Sequence, residues 1–196
     1  MIIETTPERI TKEIIKLCKE INSNEEPLYI RVNSEEWCEN NDCFINVKRK
    51  IDISRGRQVN GWAIWQWANR MIEAEAHAVW ENVNGELLDI TPHERGENYI
   101  LFLQDENVIY NGRRIPNKRV PLTKSPLVQR LIEIEDEIDM YKCNSESNFV
   151  GIPKILCMES AKIQKEMNQE VKGLEFCPCQ SGLKYKKCCG KYEKKV

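Results

Sequence analysis

Cys177-Pro178-Cys179, then eight intervening residues, then Cys188-Cys189, is the pattern that most limits what this chain can fold into. So short a segment cannot bury a core of its own. Four soft thiolates on two short arms can, however, be drawn together by one tetrahedral ion. Ser181-Gly182 lets the chain reverse, and a helical turn through Lys184-Tyr185-Lys186-Lys187 would present the second pair. Folding of the segment is then coupled to binding of the ion. Free surface thiols or a redox pair are the alternative, and such dense clustering argues against both.

The run from Cys177 to Gly190 resembles the SEC-C zinc motif, first known from the tail of the bacterial preprotein-translocase ATPase. One departure is Gln180, where that family usually has Gly. The resemblance implies one structural Zn²⁺ held by Cys177, Cys179, Cys188 and Cys189. It also implies a tail that docks on a protein, a ribosomal surface or anionic lipid.

Charge separates this tail from the rest. The chain has 196 residues and a net charge of −2, yet from Lys172 onward seven lysines face two glutamates, a formal +5. The residues before it therefore carry −7. Four thiolates and a Zn²⁺ would leave the tail near +3. Nine cysteines with no signal-peptide pattern at Met1–Glu8 suggest a reducing, cytoplasmic setting, where cysteines serve metals or catalysis more than disulfides. No apolar run approaches the ~18 residues needed to span a membrane. Seven lysines alone make nucleic-acid binding the last-ranked reading, because the acidic body opposes it and no base-reading motif accompanies them.

Along the chain, Thr6-Pro7 suggests a helix start, with Ile10, Ile14, Cys18 and Ile21 on one face. Leu28 to Val32 is expected as a strand, and a helix beginning at Cys43 lines up Phe44, Val47 and Ile51. Strands are expected over 58–66, 72–82, 86–91 and 98–103, with Asn84-Gly85 at a hairpin. Two helices follow, one opening at Ser125-Pro126 with Leu127, Leu131, Ile134, Ile138 and Tyr141 inward. The other covers about 154–171, with Ile155, Ile163, Met167 and Val171. This order predicts an α+β fold. The expected division is a body over 1–123, a helical extension over 124–172 and the zinc module over 173–196.

Within the body, Cys43, His77 and Asp89 form a candidate catalytic set. A helix N-terminus favours a thiolate, and an imidazole oriented by a carboxylate can shuttle its proton. Asp42-Cys43-Phe44, His77-Ala78-Val79-Trp80 and Asp89-Ile90-Thr91-Pro92 resemble, in order and character, the transglutaminase-like branch of the papain-like superfamily. The resemblance implies a papain-like antiparallel sheet with packed helices, and a cysteine hydrolase or acyltransferase acting on a protein or peptide. The triad sets a geometric condition. A two-residue turn at Asn84-Gly85 would put His77 and Asp89 on opposite faces, whereas a three-residue loop, Val83-Asn84-Gly85 with Gly85 left-handed, pairs Val79 with Asp89 and unites them.

Other assignments compete. Cys43 can be a buried small hydrophobe and His77 a structural histidine. His93 is a backup base, expected to cap or to face solvent in its charged loop. A second zinc held by Cys38, Cys43, His77 and His93 is conceivable. The oxyanion donor is expected from the Cys43 backbone N–H, with Asn40, Asn41 or Trp37 as candidate partners. Trp62, Trp65, Trp67 and Trp80 are expected as core and rim of the sheet. The rival class is a non-catalytic adaptor on a degenerate scaffold.

Overall fold

The computed structural model describes residues 4–144, 151–169 and 183–187. Helix α1 (Lys12–Ile21) precedes strand β1 (Leu28–Val32) and helix α2 (Cys43–Ser54). Strands β2 (Arg57–Trp67), β3 (Met71–Glu81), β4 (Leu87–Asp89), β5 (Tyr99–Gln104) and β6 (Lys118–Pro121) come next, followed by helices α3 (Pro126–Asn144) and α4 (Lys154–Gln169). A single 3₁₀ turn covers Tyr185–Lys187, where the sequence suggests a helical turn. The architecture is α+β, and no described helix is long and apolar enough to cross a membrane.

The strands run in the order β2-β5-β1-β4-β3-β6, and β3 also pairs with β2, so the first five close into a barrel. An antiparallel sheet is the expectation, but β1 runs parallel to β4, with Val32 opposite Asp89. A helix crossover can place parallel strands side by side, and α2 lies in the connection between these two. Alternation along the strands sends Val59, Ala63, Trp65, Val79, Ile100 and Phe102 into one buried cluster. Helix α2 packs Cys43 and Val47 against Ala78 and Ile90, which face the other way.

The described chain divides into two compact units. One comprises residues 9–65 and 74–115 and holds most of the barrel. The other takes residues 4–8, 66–73 and the described residues from 116 onward. Its core joins Trp67 and Met71 to Val128, Leu131, Ile134 and Ile138 of α3 and Leu156, Ile163 and Met167 of α4. Tyr141 and Ile155, expected inward, are exposed, because Val128 and Leu156 occupy the buried stripe instead. Thr6-Pro7 does not start α1. Thr5 instead exchanges backbone hydrogen bonds with Gln66, and Thr11 caps the helix by accepting from the Ile14 N–H.

Two glycines with positive φ give a stability test. Gly56 (φ +87°) lies so close to β3 that an added Cβ would sit 2.2 Å from the Glu81 carbonyl oxygen. Gly85 (φ +82°) has open space around it. Gly85→Ala should therefore cost only about 1 kcal/mol of left-handed strain, whereas Gly56→Ala should cost at least ~2–3 kcal/mol because backbone must also move. Urea midpoints of the two variants check the ranking.

Candidate functional site

The β3–β4 hairpin decides which side chains meet. Trp80 pairs with Leu88 and Glu81 with Leu87. The connection is the three-residue loop Val83-Asn84-Gly85, closed by the Asn82 N–H donating to the Glu86 carbonyl at 2.9 Å. The Asn82 side-chain oxygen accepts from the N–H groups of Asn84 and Glu86, and Gly85 adopts the left-handed conformation. The register therefore satisfies the condition set by the sequence. Continued inward, it puts Val79 opposite Asp89 and leaves His77 and Asp89 on one face.

Asp89 is wholly buried, and its two oxygens have separate partners. Oδ1 accepts the Thr91 N–H at 2.9 Å. Oδ2 lies 3.1 Å from His77 Nε2 and 2.6 Å from His93 Nε2. The His93 contact is an aligned hydrogen bond. The His77 contact is within reach but misaligned, so His77 Nε2 is buried without a hydrogen-bond partner. Burial pushes the Asp89 carboxyl up, but His77 and His93 hold it well below the ordinary range. Burial pulls His77 down, yet the Asp89 carboxylate and Cys43 together raise it well above an ordinary histidine.

Cys43 is the first residue of α2 and is buried. It is near enough to His77 to help raise that ring's pKa. The preceding Asp42 makes no side-chain cap, so the first amides of the helix are not closed off by its carboxylate. Asn41, with φ 66°, bends the chain into this helix start, in a conformation that Asn tolerates better than most residues.

Asn46 was not among the sequence candidates, but it ties these elements together. Its amide donates to the Glu39 carbonyl at 2.8 Å and to Thr91 Oγ1 at 3.3 Å, and its oxygen accepts the Glu39 N–H. It thereby pins the approach to Cys43 against the end of β4. A buried Asn one turn after Cys43, on the apolar face of α2, is the signal that marks it.

The remaining candidates separate. His93 does not face solvent; it reaches back to Asp89 and packs edge-on to Trp65 at 5.2 Å between ring centres. Trp37 packs on the cluster that contains Cys43, with the Arg49 guanidinium 4.6 Å over its ring. Asn40 and Asn41 are exposed. Trp62, Trp65 and Trp67 are buried and Trp80 is half-buried, as core and rim. Phe44, next to Cys43, stacks on Tyr110 at 4.4 Å, an aromatic contact that local pattern does not reveal. The ligand atoms of His77, Asp89 and His93 lie within 4.8 Å of one another, a cluster that includes neither Cys38 nor Cys43.

Cys177, Cys179, Cys188 and Cys189 lie outside the described residues. The SEC-C motif family matches residues 177–191, which include all four. No curated protein and no solved structure matches the chain.

Proposed function

We propose that the chain is a cysteine-dependent amide-bond hydrolase or acyltransferase of papain-like, transglutaminase-like character, acting on a protein or peptide. The observation that carries this reading is the odd hairpin register, which sets His77 and Asp89 on one face beside the Cys43 helix start. Cys43 sulfur attacks the carbonyl carbon, and a C–S bond forms as the carbonyl becomes an oxyanion. The Cys43 backbone N–H at the positive end of α2 is the natural donor to that oxygen. His77 gives its proton to the leaving amine as the C–N bond breaks. Water or an amine then attacks the thioester, passes its proton to His77 and releases the acyl group, regenerating the thiol. The Asp89 carboxylate, 3.1 Å from His77 Nε2, stabilises the charged ring throughout. The exposed Tyr110, stacked on Phe44, and the exposed Ile109 that precedes it in the chain suit an apolar substrate flank.

The tail complements this chemistry without taking part in it. Cys177, Cys179, Cys188 and Cys189 are the donor set that a structural Zn²⁺ takes, and they would hold one ion that folds a basic docking module for a protein or ribosomal surface. A cytoplasmic location fits a chain with nine cysteines, where such residues serve metals or catalysis more than disulfides.

Alkylation tests the nucleophile. In the presence of a chelator, with each cysteine resolved by peptide mass spectrometry, Cys43 should react with iodoacetamide at neutral pH about tenfold faster than exposed Cys157. Cys18, whose thiol is pushed up to about 11 by burial, should be slowest. His77→Ala should slow Cys43 by about tenfold or more, because no neighbouring base is then left to take the thiol proton. Slow labelling of Cys43 that does not depend on His77 would instead favour the non-catalytic adaptor.

A further inference from the structure

The hydrolase mechanism uses His77 and Asp89 and leaves His93 without a task. His93 Nε2 nevertheless closes to 2.6 Å on the same Asp89 Oδ2 that His77 Nε2 approaches to 3.1 Å. The other carboxylate oxygen is held by the Thr91 N–H, so Oδ2 is the one turned toward both rings. His77 Nε2 is fully shielded and has no aligned hydrogen bond. A buried polar atom whose nearest acceptor is poorly aligned is costly unless something else meets it.

We propose that His77 Nε2, His93 Nε2 and Asp89 Oδ2 form a binding site for a divalent transition metal of the zinc class. Two imidazoles and one carboxylate are borderline donors, suited to Zn²⁺, Co²⁺ or Fe²⁺ rather than to the all-oxygen preference of Ca²⁺ and Mg²⁺. A tetrahedral ion with bonds of ~2.0–2.1 Å sets its donors roughly 3.3 Å apart. The 3.1 Å pair is already close to that spacing. The 2.6 Å pair must open by several tenths of an ångström, which His93, the least buried of the three, can supply. Thr91 provides the outer contact that orients the carboxylate, as metal-binding carboxylates require. The Cys43 sulfur is not in the cluster, so the fourth position falls to water or to a substrate oxygen.

The site has a regulatory consequence that rests on the hydrolase reading. A bound ion takes Asp89 Oδ2 and His77 Nε2 out of their mutual contact, so His77 loses the group that orients it toward Cys43. The loaded protein should hold Cys43 in a slow state, and removing the metal should release it.

Zinc stoichiometry tests the site on the full chain, stripped with chelator, titrated with Zn²⁺ by calorimetry and analysed for retained metal after gel filtration. A variant with Cys177, Cys179, Cys188 and Cys189 all changed to Ser should still retain one equivalent. His93→Ala should retain one equivalent fewer than the wild type. A tail variant that keeps no zinc, or a natively folded His93→Ala that keeps as much as the wild type, overturns the proposal. Should His93→Ala fail to fold, the tail variant decides alone, since its barrel is untouched. In that tail variant, zinc should also slow Cys43 alkylation about tenfold or more. If zinc binds while Cys43 is equally inert without metal, the hydrolase reading fails and the metal site stands.

Discussion

Arg119→Met is expected to cost about 3–5 kcal/mol of stability, the amount typical of removing one member of a buried ion pair. Arg119 sits on β6 with its side chain only 4% exposed. Its guanidinium meets Glu73 Oε1 and Asp139 Oδ2, both at 2.9 Å, and Asp136 Oδ1 at 2.7 Å. Burial alone would lower its pKa, yet Glu73 and Asp139 hold it above its ordinary value, so it stays charged. Methionine fills similar space but takes this cation from two shielded carboxylates, Glu73 and Asp139, and the Asn117 side-chain and backbone N–H groups that also donate to them carry no charge to replace it. Lys142, 3.8 Å from Asp139 and on the exposed side, is too distant to replace it. Against a typical total of 5–15 kcal/mol, this loss is large. The melting temperature should fall by about 6–20 °C, at roughly 2–4 °C per kcal/mol for a chain of this size. Adding Glu73→Gln and Asp139→Asn should recover part of the loss, because the penalty lies in the stranded charges rather than in the missing contact. A triple variant less stable than Arg119→Met would show that the network contributes net stability as a unit.

What the sequence discloses and what it hides follow the range of the interactions. Asn84-Gly85 marks the β3–β4 turn locally, but it admits both a two-residue and a three-residue loop, so the register that unites His77 and Asp89 is set by the fold rather than by the turn residues alone. Helix α2 is legible from the spacing of Phe44, Val47 and Ile51. Barrel closure is not, since it depends on β1 settling between β5 and β4, partners more than fifty residues away with no local mark. Strand β6 is short and ends at Pro121, so its pattern is too brief to stand out. Its importance comes from Arg119, whose partners lie on other elements. His93 misleads for a different reason. Its neighbours Glu94 and Arg95 suggest solvent, but the Thr91 N–H bonding back to Asp89 turns the chain on itself and swings the ring inward. An exposed-looking loop thus delivers a half-buried side chain to the site.

Asp89→Asn should reduce turnover of an activated ester, such as a p-nitrophenyl ester, by roughly 10³–10⁴-fold, the size of effect seen when the orienting carboxylate of a catalytic triad becomes an amide. The reason lies in the hydrogen-bond inventory of the pocket. The Thr91 N–H needs an acceptor, so the amide oxygen of Asn must take the Oδ1 position. The NH₂ group then replaces Oδ2 and presents donors to His77 Nε2 and His93 Nε2. His77 must accept at Nε2, which moves its proton to Nδ1, the nitrogen left for Cys43. A ring that carries a proton toward the thiol cannot take one from it. Iodoacetamide labelling of Cys43 should slow in parallel, by about tenfold or more, because His77 no longer takes the thiol proton. The substitution preserves shape, so near-ultraviolet circular dichroism should remain native and separate lost chemistry from lost folding. Wild-type turnover in Asp89→Asn would mean that Asp89 does not orient the base, and that its burial between two histidines serves the metal alone.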